Sequence, residues 1–115
     1  MNNTKIFSLE YRVLYDLYLE KVVRKDRMEE ELLQVIEWLT GYSSTQVKEI
    51  LYTDLDLKSF IESSPKLNPN RKLVSGKICG IQVEAMEEGL MKEIRIMDKV
   101  VDELAKGRAL EKILR

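Results

Sequence analysis

The sequence contains no histidine, a single cysteine and only two prolines among its 115 residues. Without histidine the chain cannot build a Ser-His-Asp triad, a Cys-His dyad or a histidine-ligated metal centre. A single cysteine excludes a disulfide within the chain and a cysteine-rich zinc site. Because these absences remove the commonest catalytic and metal-binding groups, the sequence favours a protein that is not an enzyme, with no catalytic residues, no metal and no cofactor.

Long apolar runs are also missing. No stretch approaches the ~20 apolar residues that a membrane helix needs, and residues 1–11 lack the basic start and apolar core of a signal peptide. We therefore expect a cytoplasmic protein without a membrane segment. Hydrophobic residues make up 44% of the chain, which is typical of globular proteins, and the length corresponds to a single domain over residues 1–115.

The net charge is −1, but its sign changes along the chain. Residues 66–81 carry four basic and no acidic side chains, residues 82–105 carry seven acidic and three basic ones, and residues 106–115 are basic again. A nucleic-acid-binding domain usually has a continuous basic face, because phosphate neutralisation supplies most of the affinity. We expect these short basic segments to pair with the acidic helix between them or to be solvated.

Apolar residues at helical spacing predict five or six helices, packed as a small all-α bundle. The first helix should begin near Ser8, the second should be capped by Asp26 and end at Gly41, and the third should be capped by Ser43 or Ser44. A short fourth helix should follow over residues 57–62. The first helix buries one stripe, made of Phe7, Tyr11, Leu14, Tyr15, Tyr18 and Val22.

Residues 76–85 permit two interpretations. Gly76, Gly80 and Val83 recur at helical spacing, whereas residues 81–85 alternate as a strand would. Because a lone strand has no evident partner, we predict that the helix started by Asn68-Pro69 continues through this segment. Cys79 lies between apolar neighbours, so the sequence predicts a buried structural cysteine that reacts slowly.

The last long helix, over residues 90–106, has apolar residues in heptad steps of four and three. This stripe and its flank are wide enough to form the association surface of a possible homodimer. Burial inside the monomer would produce the same pattern, so both interpretations remain open. The candidate surface consists of Leu90, Met91, Ile94, Ile96, Met97, Val100, Val101 and Leu104.

Residues 33–52 outline a helix-turn-helix, with Gly41 in the turn. In a DNA-binding protein of this type the second helix would present Thr45, Gln46 and Lys48 to the bases. Three features count against DNA binding. Glu37 occupies a position that usually has a small residue, the second helix has no arginine, and its surroundings are acidic. Any helical hairpin gives the same outline, so a DNA-binding regulator is the alternative interpretation.

Six ordered motifs stand out along the chain, namely NTKIFSL (3–9), WLTGY (38–42), LNPN (67–70), GKICGIQVE (76–84), LMKEIRIMDKVVDELAKG (90–107) and EKILR (111–115). Together they resemble one small bacterial family from the catalogued series of domains of unknown function, over essentially the whole chain. The sequence departs from that family at Glu88-Gly89, where the family tends to have Asp-Pro, and so lacks a proline helix start there. The resemblance implies a bacterial protein and carries no activity, cofactor or site residue. The function that we predict is therefore a helical protein-interaction or self-associating module.

Overall fold

A computed structural model describes residues 4–115 and confirms a small, mainly helical domain. Within that range there are seven α-helices, one two-stranded antiparallel hairpin and two short 3-10 turns, Pro69–Leu73 and Val83–Ala85. No helix in this part of the chain is long and apolar enough to cross a bilayer. The elements are α1 Thr4–Phe7, α2 Tyr11–Val23, α3 Glu29–Thr40, α4 Ser44–Ile50, α5 Leu57–Glu62, β1 Lys77–Ile78, β2 Ile81–Gln82, α6 Leu90–Ala105 and α7 Leu110–Ile113.

Helix α6 lies at the centre of the domain. It packs against α2, α3, α5, α7 and the hairpin. Other helices and the hairpin therefore cover the heptad stripe of α6 from several sides, and the apolar residues of the stripe lie in the middle of one hydrophobic core. Helices α2 and α3 also pack against each other, so α2, α3 and α6 make the main helical layer.

Local capping explains where several helices begin. Ser43 Oγ accepts from the Gln46 N–H at 3.1 Å, and Gln46 Oε1 accepts from the Ser43 N–H at 2.8 Å. The predicted cap of α4 is therefore Ser43, and with Gln46 it forms a reciprocal capping box. Asp56 caps α5 by accepting from the Ser59 N–H at 2.7 Å. Such caps satisfy amides that the helix itself leaves without partners.

Gly41 ends α3 with a left-handed backbone, φ 81°. A Cβ at this position would lie 2.8 Å from the Lys66 backbone nitrogen, so both conformation and space require glycine. The loop that follows α5 passes close to the end of α3. In this loop the Lys66 N–H donates to the Thr40 carbonyl and the Asn68 N–H to the Leu39 carbonyl, both at 3.0 Å. The WLTGY and LNPN segments therefore meet, and the loop satisfies carbonyls at the end of α3.

Two predicted helix starts are wrong by two or three residues. Leu9 and Glu10 are extended and pair with the segment before α5, so α2 begins at Tyr11 rather than near Ser8. Asp26 has φ 63° and belongs to the turn after α2. The residue before α3 is Met28, whose N–H donates to Glu31 Oε1 at 3.0 Å.

The prediction of a helix over residues 76–85 is also wrong. Lys77 pairs with Gln82 and Ile78 with Ile81, and Cys79 and Gly80 form the tip with φ of 52° and 76°. Positive φ at both tip positions is the geometry of a two-residue hairpin turn. The strands pair with each other and the hairpin packs on α6, so the alternating pattern has partners that are not adjacent in sequence.

Candidate interaction surface

Six of the eight residues predicted to form the α6 association surface lie in the core and are at most 1% exposed. Only Leu90 and Met91, at the start of α6, are partly exposed. The chain's own helices and hairpin cover the stripe, so these six residues are not available on the surface of the folded chain. This corrects the placement of the surface. The buried six are Ile94, Ile96, Met97, Val100, Val101 and Leu104.

The three residues of the DNA-binding alternative, Thr45, Gln46 and Lys48, are exposed on α4. The Gln46 side chain is committed to the capping box, and α4 has only seven residues. Glu49 is exposed beside Lys48 on the same short helix. Helices α3 and α4 pack against each other across the turn at Gly41, and nucleic-acid contact stays a prediction.

Cys79 is exposed at the tip of the hairpin, so the prediction of a buried cysteine is wrong. A tip residue points away from the strands whatever the polarity of its sequence neighbours. Arg95 Nη1 lies 3.9 Å from Cys79 Sγ and 3.0 Å from Asp98 Oδ2. Asp98 also accepts a hydrogen bond from the buried Tyr18 hydroxyl. This chain of contacts ties the hairpin through α6 to α2.

The exposed glutamates after the hairpin do not form an acid–base pair. Glu84 accepts from the Gly76 N–H at 2.9 Å, and Glu88 forms an ion pair with Lys92 at 2.9 Å. The hydrogen bond from Gly76 lowers the pKa of Glu84, and the hydrogen bond from Lys92 lowers the pKa of Glu88. A general acid needs a raised pKa. Within residues 4–115 no three Cys, Asp or Glu side chains converge as a metal site.

The tyrosines of α2 face the core rather than solvent. Tyr11 stacks on Phe60 with ring centroids 3.6 Å apart, and the Tyr15 hydroxyl donates to Glu29 at 2.7 Å. Burial raises the pKa of Tyr11 and of Tyr18 well above the usual value. Since their rings are enclosed by protein, these tyrosines stabilise the fold and do not offer a stacking platform for bases.

The opposite side of α2 carries an exposed apolar pair. Val13 is 43% exposed and Leu17 is 56% exposed, one helical turn apart. Glu20 continues the same stripe one turn further along the helix, and Glu10 and Arg24 stand immediately before and after α2. We call these five residues the outer face of α2. A shallow groove runs along it, lined by Leu17, Glu20, Lys21, Arg24 and Lys25.

Charge is distributed unevenly along the outer face of α2. Glu10 stands at its N-terminal end, paired with Arg12 at 2.8 Å, and Arg24 stands at its C-terminal end, paired with Glu20 at 2.8 Å. The Arg24–Glu20 pair is about two-thirds exposed on both sides. Sequence reasoning missed this surface, although the second stripe opposite the tyrosines was a signal that could have found it.

Fold and surface together define a small, mainly helical domain with one hairpin. The chain belongs to DUF2200, a family described as an uncharacterized protein conserved in bacteria, whose model matches residues 5–115. It is similar to the crystal structure of the uncharacterized protein SP1917, with 37% sequence identity and a TM-score of 0.92. That match covers 99% of this chain and 93% of the other. No curated protein gives a significant match, so no activity is assignable from these comparisons.

Proposed function

We propose that this domain is a non-catalytic interaction module that binds an amphipathic helix on the outer face of α2. The observation that carries the proposal is the exposure of Val13 and Leu17, side by side on a helix whose opposite face is enclosed. Adjacent exposed apolar side chains with a charged surround are typical of interaction surfaces. Outside α2, the large apolar residues that are at least as exposed as Val13 and Leu17 lie on turns or loops. These are Met28, Tyr52 and Leu73.

The charges of the outer face specify the kind of helix that fits. Its apolar centre requires an apolar stripe on the partner, and the groove beside Leu17 gives that stripe a place to pack. Glu10 at one end and Arg24 at the other favour a partner helix with a basic residue facing Glu10 and an acidic residue facing Arg24. Such binding should weaken as salt concentration rises.

A photo-crosslinking residue placed at position 17 tests the proposal. We expect adducts that map, by mass spectrometry of the joined peptides, to an apolar stripe of an amphipathic helix. The same residue at Lys58, which is exposed on α5, is the matched control and should give no such adduct. An absence of adducts above the control, or adducts scattered over unrelated surfaces, would contradict the proposal.

A further inference from the structure

We infer that the partner is the outer face of α2 in a second copy of this chain, lying antiparallel to the first, an inference that rests on the proposed function. The two charged ends of the outer face are placed symmetrically about Leu17, while Val13 on one side of Leu17 corresponds to Glu20 on the other. Glu10, the residue before α2, precedes Leu17 by seven residues, and Arg24, the residue after α2, follows it by seven. The outer face therefore offers what we expect of its partner, namely an apolar centre, a basic residue that can face Glu10 and an acidic residue that can face Arg24.

The relative direction of the two helices follows from these charges. When two copies meet antiparallel with Leu17 at the two-fold axis, Glu10 of each copy faces Arg24 of the other. A parallel pair would instead place Glu10 beside Glu10 and Arg24 beside Arg24, and like charges would repel. The apolar centre is then closed by the two Leu17 side chains, with Val13 on either side of the axis. A two-fold dimer is the commonest symmetric assembly.

Neither charged end residue is locked in the monomer. Glu10 and Arg24 belong to local pairs on the protein surface, with Arg12 and Glu20 respectively. Exposed pairs of this kind contribute little to stability, so exchanging them for contacts between copies costs little. Stable protein interfaces bury at least about 1,200 Å² of surface in total, and one pair of helices buries no more than this. The dimer should therefore be weak, reversible and sensitive to salt.

Charge exchange between the two ends tests this arrangement in the full chain. The variants are Glu10→Arg and Arg24→Glu, measured by sedimentation equilibrium from about 10 to about 500 μM. Each variant alone should self-associate about tenfold more weakly than the wild type, because two like charges then face each other. An equimolar mixture should form a heterodimer with nearly wild-type affinity, because every facing pair is again of opposite sign. Lys58→Glu, on α5, is the control and should associate like the wild type.

Several outcomes would overturn the inference, provided that circular dichroism shows each variant folded. These are a wild type that stays monomeric, single variants that associate as strongly as the wild type, and a mixture that does not associate. If the wild type is monomeric while residue 17 still crosslinks to a helix of another protein, this inference fails and the proposed function stands. If residue 17 gives no specific adduct, the proposed function fails as well.

Discussion

Helices α2 and α6 both carry a regular apolar stripe, yet they differ in how much of their circumference the chain covers. Around α6 lie α2, α3, α5, α7 and the hairpin, and even the carboxylates Asp102 and Glu103 near its end are buried. In α2 only one side is covered. Its inner face buries Tyr11 completely, while Leu17 on the outer face remains 56% exposed.

The difference shows what a heptad pattern reports and what it leaves open. A stripe in steps of three and four residues indicates that one side of a helix is covered, but not which surface covers it. In α6 the covering surface is the rest of the chain. A peripheral helix such as α2 has a second, exposed face, and this is the face that we propose binds a partner.

Introducing a charge into each helix should give the largest contrast. Val100→Glu places an unpaired carboxylate in the core, and we expect it to lower the unfolding free energy by more than about 4 kcal/mol. Leu17→Glu should change that free energy by less than about 0.5 kcal/mol while removing self-association. Urea unfolding followed by circular dichroism measures the unfolding free energies of the two variants, and sedimentation equilibrium measures their self-association. Equal destabilisation by the two variants would contradict the distinction between the helices.

Asp102 near the end of α6 should contribute the next largest effect, about 1–2 kcal/mol. It pairs with Lys21 of α2 at 2.9 Å and with Lys106 at 3.0 Å, and its side chain is only 10% exposed. Burial acts to raise the pKa of Asp102, but the hydrogen bonds and charges of the two lysines outweigh it and lower that pKa. Asp102→Asn should lower the unfolding free energy at pH 7, whereas Glu111→Gln, at an exposed position of α7, should not.

The sign of the pKa shift predicts how this contribution depends on pH. Because the pKa of Asp102 is lower in the folded than in the unfolded state, its stabilisation is complete above the unfolded value of about 3.9. It is lost as the pH falls through the folded value. The difference in unfolding free energy between the wild type and Asp102→Asn should therefore shrink below about pH 4. A difference that stays constant down to pH 2 would show that Asp102 acts by packing alone.

Two of the three buried tyrosines of α2, Tyr11 and Tyr18, should respond differently to loss of the hydroxyl group. The Tyr18 hydroxyl donates to Asp98, so Tyr18→Phe should lose about 1.5 kcal/mol of unfolding free energy. The Tyr11 hydroxyl has no hydrogen-bond partner among the described residues. Tyr11→Phe should therefore leave stability unchanged or raise it slightly. Comparable losses in both variants, measured by urea unfolding, would mean that the Tyr11 hydroxyl is in fact bonded.

Replacing Cys79 should have only a small effect on stability. Its φ of 52° is unfavourable for a side chain with a Cβ, so Cys79→Gly should raise the unfolding free energy by about 0.5 kcal/mol. The exposed thiol of the wild type should react with an alkylating reagent about as fast in the native protein as in denaturant. Marked protection in the native protein would place the thiol in a buried environment after all.

Features that depend on neighbours in sequence were predictable. The capping box of Ser43 and Gln46, the Asp56 cap and the left-handed Gly41 each depend on a few adjacent residues. The buried tyrosine stripe of α2 depends only on helical spacing. The class of the fold and the family resemblance followed from such local patterns.

Features that depend on distant contacts were not predictable in the same way. The extended backbone before α2 exists because Leu9 and Glu10 pair with residues 55–57. The hairpin over residues 77–82 is stable because α6 packs beneath it, and its turn then exposes Cys79. The same reason applies to the proposed association surface, because only the arrangement of the helices shows that α6 is enclosed and that one side of α2 is not.

A disulfide between two copies tests most directly whether the outer face of α2 is the association surface. In a Cys79→Ser background, Leu17→Cys places one thiol per chain at the proposed two-fold axis. We expect mild oxidation at about 100 μM to give a covalent dimer, because antiparallel packing brings the two sulfur atoms within bonding reach. Dilution or Arg24→Glu should suppress it, and Thr45→Cys on α4 should not form it. A Leu17→Cys chain that crosslinks no faster than the Thr45→Cys control would contradict the account.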